Sequence, residues 1–174
     1  MSNSGTIHAN RSSGIYNLGQ ISTLTNSGVI SGGTGVSNSG TIGQFTNMVN
    51  GTISGVNKGI YNDGTIVALT NSGKLTGTNT VIANSGSINS LSNTGTITNI
   101  GATVAAIYNY STIGTLTNSR LIANSSFAAI ANLSHIGSIL NLSGGTITGG
   151  SFGVDTEGGG AKEPLRSLIG SGLF

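Results

Sequence analysis

The chain has 174 residues, room for one domain with a sizeable core, yet only 6% of them are charged, 30 are Gly, one is Pro and none is Cys. Absence of Cys excludes a disulfide framework and thiolate metal sites, and a net charge of +2 from six scattered basic residues against four acids points away from nucleic acid as a partner. Hydrophobic residues make up 36% of the chain and are spread evenly, so there is apolar surface to bury and disorder is the weaker reading.

Read from the N-terminus, the phrase Asn-x-Gly-x-Ile appears at Asn17–Ile21, again at Asn26–Ile30, and keeps returning. One set of Asn residues is Asn17, Asn38, Asn62, Asn84, Asn109 and Asn132. A second set follows each member by nine residues, at Asn26, Asn47, Asn71, Asn93, Asn118 and Asn141, with Asn3 as an earlier copy. From Asn3 to Asn141 there are six periods averaging 23 residues; the step of nine is constant, whereas the return step runs from 12 to 16. A constant part joined to a variable part is the signature of one coil of a solenoid, in which tight bends and strands are fixed and one side carries a loop of tolerated length. Each Asn-x-Gly-x-Ile then reads as one corner plus one strand, with two such corners per coil.

Apolar residues stand in columns at fixed offsets from these Asn positions. Two residues before the first Asn come Ile15, Val36, Ile60, Ile82, Ile107 and Ile130; four after it come Ile21, Ile42, Ile66, Ile88, Ile113 and Ile136. Two before the second Asn come Leu24, Phe45, Leu69, Leu91, Leu116 and Ile139, and beyond it Ile7, Ile30, Ile53, Leu75, Ile97, Ile122 and Ile147, with two residues inserted before Ile53 and Ile147. Strand side chains alternate faces, so these positions point inward and stack on their counterparts one coil away at about 4.8 Å. The pattern predicts an all-β protein, a parallel β-solenoid of about seven coils of about 23 residues spanning 1–158. The Asn columns are expected to face inward at the bends, each amide donating to the Asn of the adjoining coil and to bend backbone. Gly two residues later, as at Gly19, Gly40, Gly64 and Gly86, supplies either a positive φ or a close backbone approach; Ser111, Ser134 and Arg120 depart from this. At the C-terminal end "GVDTEG" (153–158) repeats "GVSNSG" (35–40) with Thr156 in place of Asn. The charged, Pro164-containing segment 159–174 reads as a cap over the last coil or a linker.

"GIYNDGTIVALTNSGKL" (59–75) is the clearest copy of the repeat. It resembles the passenger repeats of bacterial autotransporters and related outer-membrane adhesins. The resemblance covers roughly residues 1–156 and implies a right-handed parallel β-helix, displayed outside the cell on a parent anchored by an outer-membrane β-barrel that this chain does not include. No basic region followed by an apolar stretch stands at the N-terminus and no run approaches about 18 apolar residues, so neither a signal peptide nor a membrane helix is expected.

Chemistry-bearing residues are few. His8 and His135 fall in different coils and read as solvent-facing. Asp155 and Glu157 lie in the last degenerate coil and read as a solvated end rather than an acid/base pair. "GGSFGVD" (149–155) is a single imperfect copy of a calcium-repeat pattern that needs tandem turns to supply ligands, so no metal or cofactor is expected. The Gly clusters at 31–35 and 143–145 lack the Lys and helix of a phosphate loop and read as turns. Asn-x-Ser sequons at Asn109, Asn132 and Asn141 fall in the ladders; Asn10 and Asn124 read as accessible. Tyr16, Tyr61 and Tyr108 each precede an Asn of the first column, with Ser37, Ala83 and Ala131 between them. This alternation of large and small side chains either fills space at a bend or forms an aromatic stripe for contact with sugar or protein.

Outward Thr columns flanking Leu24 and its counterparts invite comparison with ice-ordering solenoids, but Gln44, Ala68 and Leu140 interrupt them. The functional expectation is a non-enzymatic rod or stalk in an extracellular surface protein. The alternative is a binding module for a surface glycan, a host protein or ice. Open strand edges at the end of a solenoid also suit end-to-end self-association through backbone pairing.

Overall fold

The computed structural model describes residues 1–101 and 104–156 and the backbone of 168–170. Every regular element in them is a β-strand and every strand pairing is parallel. Six seven-residue strands, Gln20–Asn26, Thr41–Asn47, Thr65–Asn71, Ser87–Asn93, Thr112–Asn118 and His135–Asn141, stack in that order, with Ser2–Asn3 at one edge and Leu168–Gly170 at the other. Each begins just after a first-column Asn corner and ends on a second-column Asn, which is why the step of nine residues never varies.

The second sheet has twelve strands in two stacks. One stack follows the second Asn, as in Thr6–His8, Lys74–Gly77, Thr96–Asn99, Leu121–Asn124 and Thr146–Gly149. The other leads into the first Asn, as in Ser13–Asn17, Thr80–Asn84, Ile107–Asn109, Ile130–Asn132 and Val154–Asp155. Each coil therefore has three strand runs, and the chain is a parallel β-solenoid of about seven turns at roughly 23-residue spacing.

The apolar columns stack in register, Leu24 on Phe45, Phe45 on Leu69, Leu69 on Leu91, and so on to Ile139. They form one continuous core in which nearly all members are fully buried; Ile7 and Ile21, in the first coil, are half-buried because a neighbouring coil covers them from one side. The core extends beyond the predicted columns at the third corner. There Val81, Ala106 and Ala129 turn inward immediately before Ile82, Ile107 and Ile130, so two successive side chains face the core. Earlier coils carry Gly14, Gly35 and Gly59 at the same place, and a Cβ at Gly35 would stand 2.7 Å from Ile53 Cγ2.

Those glycines correct one expectation. Residues 31–35 are not a turn but part of a ten-residue strand, Val29–Asn38, which carries both stacks round the corner with a register irregularity between Gly32 and Thr34. Without side chains to clash, the backbone bends there while keeping its pairing to Thr52–Asn62. The second cluster, 143–145, is a turn, and Gly144 has a φ of 83°. The inserted residues before Ile53 and Ile147 form equivalent local turns, closed by Gly51 N–H to Met48 C=O and Gly145 N–H to Leu142 C=O, each 2.8 Å. Of the segment expected to cap or link at 159–174, the described part is the backbone of 168–170, which pairs with Ile139–Asn141; Glu157 and the rest lie outside the described residues.

Candidate interaction surface

Two inward asparagine columns hold the constant corners. Asn62 Nδ2 donates to Asn84 Oδ1 at 2.8 Å, and its second hydrogen faces the carbonyls of Gly64 at 3.2 Å and Ser87 at 3.0 Å. The same arrangement links Asn17, Asn38, Asn62, Asn84, Asn109 and Asn132. It also links Asn3, Asn26, Asn47, Asn71, Asn93, Asn118 and Asn141. All of these side chains are buried, and among the described residues no buried side-chain polar atom lacks a partner. An amide is the side chain suited to this place because it carries donor and acceptor on one short planar group, so it can give to one coil and take from another.

The Gly two residues on is there for close approach, not for positive φ. A Cβ at Gly40, Gly64 or Gly86 would run into the backbone oxygen of Gly19, Gly40 or Gly64 one coil away. At two of the three bends where Gly is absent, those of Ser111 and Arg120, a coil-to-coil bond is longer. At Asn62 both Ser85 N–H and Gly86 N–H reach the Asn carbonyl; at Asn84 Tyr110 N–H does. The next coil-to-coil bond lengthens from 2.8 Å for Ser87 N–H to Gly64 C=O to 3.3 Å for Thr112 N–H to Gly86 C=O. Arg120 has a like effect: Leu121 N–H to Gly95 C=O is 3.3 Å, against 2.9 Å for Thr96 to Gly73.

Tyr16, Ser37, Tyr61, Ala83, Tyr108, Ala131 and Asp155 form one register column on the outer side of the strands that lead into the first Asn. Ser37, Ala83 and Ala131 are buried, Tyr61 and Tyr108 half-buried and Tyr16 exposed, so the rings shelter the small residues between them. Between Tyr61 and Tyr108 lies a groove of about 310 Å³ with Ala83 and Val104 at its base and Lys58, Asn79, Thr80, Ser85 and Tyr110 around it. Lys58 Nζ stands 5.3 Å from the Tyr61 ring centre, a cation–π contact. Tyr108 and Tyr110 stack with centroids 4.5 Å apart and planes 30° apart. Burial raises the Tyr108 phenol above its ordinary pKa, with further contributions from Tyr110, as charge and as hydrogen-bond partner, and from the Asp155 carboxylate.

Lys58 and Tyr110 were not part of the predicted stripe. Lys58 sits on the column Thr34, Lys58, Thr80 beside the tyrosines, and Tyr110 lies just past the Asn109 corner. Sequence spacing alone does not say that these positions converge across a bend. A third polar corner also escaped the sequence: Asn99 and Asn124, each six residues beyond a second-column Asn, are paired in register and both donate to the Val104 carbonyl. Asn124 is therefore buried and not an accessible sequon, whereas Asn10 is exposed and its Oδ1 accepts from His8 Nε2–H at 2.9 Å. His8 also contacts Ser31 Oγ at 2.8 Å. "GGSFGVD" runs from the end of the strand Thr146–Gly149 through the third corner into Val154–Asp155, with the Phe152 carbonyl accepting from Ala129 N–H.

Comparison with protein-family models, curated proteins and solved structures finds no match for this chain.

Proposed function

We propose that this chain is a rigid, non-enzymatic rod segment of a bacterial cell-surface adhesin, holding other parts of its parent away from an outer-membrane anchor. The observation that carries this reading is continuity: two hydrogen-bonded asparagine columns and one apolar core run through successive coils without a break. Such a stack resists bending because every coil is tied to its neighbours by backbone pairing on three sides. About seven coils at about 4.8 Å give a rod of roughly 30–35 Å.

A direct test places the chain between an outer-membrane anchor and a fluorescent tag on living bacteria. Removing residues 48–93 joins Asn47 to Thr94 in the relation that Asn93 bears to Thr94, deleting two whole coils. The tag should approach the membrane by about 10 Å, two strand spacings, read as increased energy transfer to a membrane dye. An unchanged transfer efficiency, with the shortened chain still folded, would overturn the spacing role. One observation favours the second reading, that the segment itself binds: the tyrosine-walled groove.

A further inference from the structure

The groove over Ala83 has the chemistry of a saccharide site, and we propose that it binds an extended oligosaccharide bearing carboxylates. This goes beyond the rod reading, since a rod needs no groove, and the two stand or fall separately.

Tyr61 and Tyr108 occupy the same column two coils apart, with Ala83 on the coil between. Two strand spacings make about 9.6 Å, whereas carbon atoms in contact sit about 3.5–4.0 Å apart. The two rings therefore wall the groove from either side, above the buried Ala83. Tyr110, stacked on Tyr108, carries the aromatic surface past the Asn109 corner. The volume, about 310 Å³, is that of a small-molecule cleft.

Composition selects the class of ligand. A pyranose has an apolar C–H face and a rim of hydroxyls, matching aromatic walls beside Lys58, Asn79 and Ser85. A wholly apolar ligand would strip water from these polar groups without replacing it. A small inorganic anion would leave the ring faces unused. Lys58 adds the sign: its ammonium lies over Tyr61, and no acidic side chain is among the described residues lining the groove. A carboxylate on the sugar pairs with the Lys58 ammonium.

The chain reports on this site optically. It has four Tyr and no Trp, and three of the four, Tyr61, Tyr108 and Tyr110, line the groove. With Tyr16→Phe as the background, the full chain is titrated with trigalacturonate and with its methyl ester, following tyrosine emission. The acid should give a saturable change, with the ester at least about tenfold weaker, the weight of one charge-assisted bond. Lys58→Gln should bring the acid to the level of the ester, while Lys74→Gln, a cation outside the groove, should leave it unchanged. Tyr110→Ala, an exposed position, should weaken both ligands, and far-UV circular dichroism should match for every variant. A flat emission up to about 10 mM acid overturns the proposal. So does equal binding of acid and ester, or a silent Lys58→Gln.

Discussion

Asn71 donates its Nδ2 to Asn93 Oδ1 at 2.8 Å and accepts on its own Oδ1 from Asn47 Nδ2 at 2.9 Å, with 0% and 1% of Asn71 and Asn93 exposed. Neither amide has water to fall back on. Removing one strands a buried donor and a buried acceptor together.

Asn71→Ala should therefore cost about 1–3 kcal/mol of stability. Asn79→Ala, which loses an exposed 3.1 Å bond to Asn57, should stay within about 0.5 kcal/mol. Urea denaturation midpoints of the two variants give the comparison; equal midpoints would show that burial of the column contributes nothing.

Gly19 and Gly40 hold the same place in successive coils. A Cβ on Gly19 meets nothing within 4 Å, while one on Gly40 meets the Gly19 carbonyl. Gly40→Ala should destabilise by about 1–3 kcal/mol through overpacking. Gly19→Ala should be neutral or stabilising by up to about 1 kcal/mol, because it restricts the unfolded chain. Thermal melts that rank the two the other way would contradict close approach as the reason for glycine.

Phe45 replaces Leu in its column and is fully buried between Leu24 and Leu69. Phe45→Leu restores the column's usual residue and should cost less than about 1.5 kcal/mol. Phe45→Ala opens a cavity and should cost about 3–5 kcal/mol. A small penalty for Ala would indicate that adjoining coils collapse onto the gap, which the rigid ladder opposes.

The raised Tyr108 phenol gives a pH signature. Ordinary phenols lose their proton near 10.0, and folding holds the Tyr108 proton more tightly than the unfolded chain does. The contribution to stability is thus fully present below that value and is lost as pH rises through the higher folded pKa. The ultraviolet phenolate titration of the native protein minus that of Tyr108→Phe should show a late-ionising group, and stability of the native protein should fall more steeply above about pH 10. A difference curve centred at the ordinary phenol value would remove burial as a factor at this ring.

How far the sequence spoke depends on how rigidly geometry ties residue spacing to position. Between Asn17 and Asn26 the chain has no freedom: a corner, seven strand residues and the next corner consume the interval, so Ile21 and Leu24 declare themselves by spacing alone. Beyond Asn26 the route to Asn38, and its counterpart in the other coils, runs from 12 to 16 residues. There the same place is filled by Gly35, Gly59, Val81 or Ala106, and no single residue type marks it. That is why the bent strand through 31–35 reads as a turn from sequence and why the inward place of Asn99 and Asn124 has no signature there. The tyrosine alternation was visible because it lies next to a fixed corner. Lys58 and Tyr110 reach the groove from either side of that column, a convergence that one-dimensional spacing does not carry.

Every link in both asparagine columns points one way, with the Nδ2 of each coil giving to the Oδ1 of the coil later in the chain. A coil is thus a polar unit with an accepting face and a giving face, like a brick with a socket below and a stud above. Whole coils can be duplicated or excised and the stack will still mate, provided their orientation is kept. A reversed coil would set donor against donor. The ladder is in this sense a grammar for length: it lets such a molecule be made longer or shorter by simple tandem gene duplication or loss, without any new interface having to be invented.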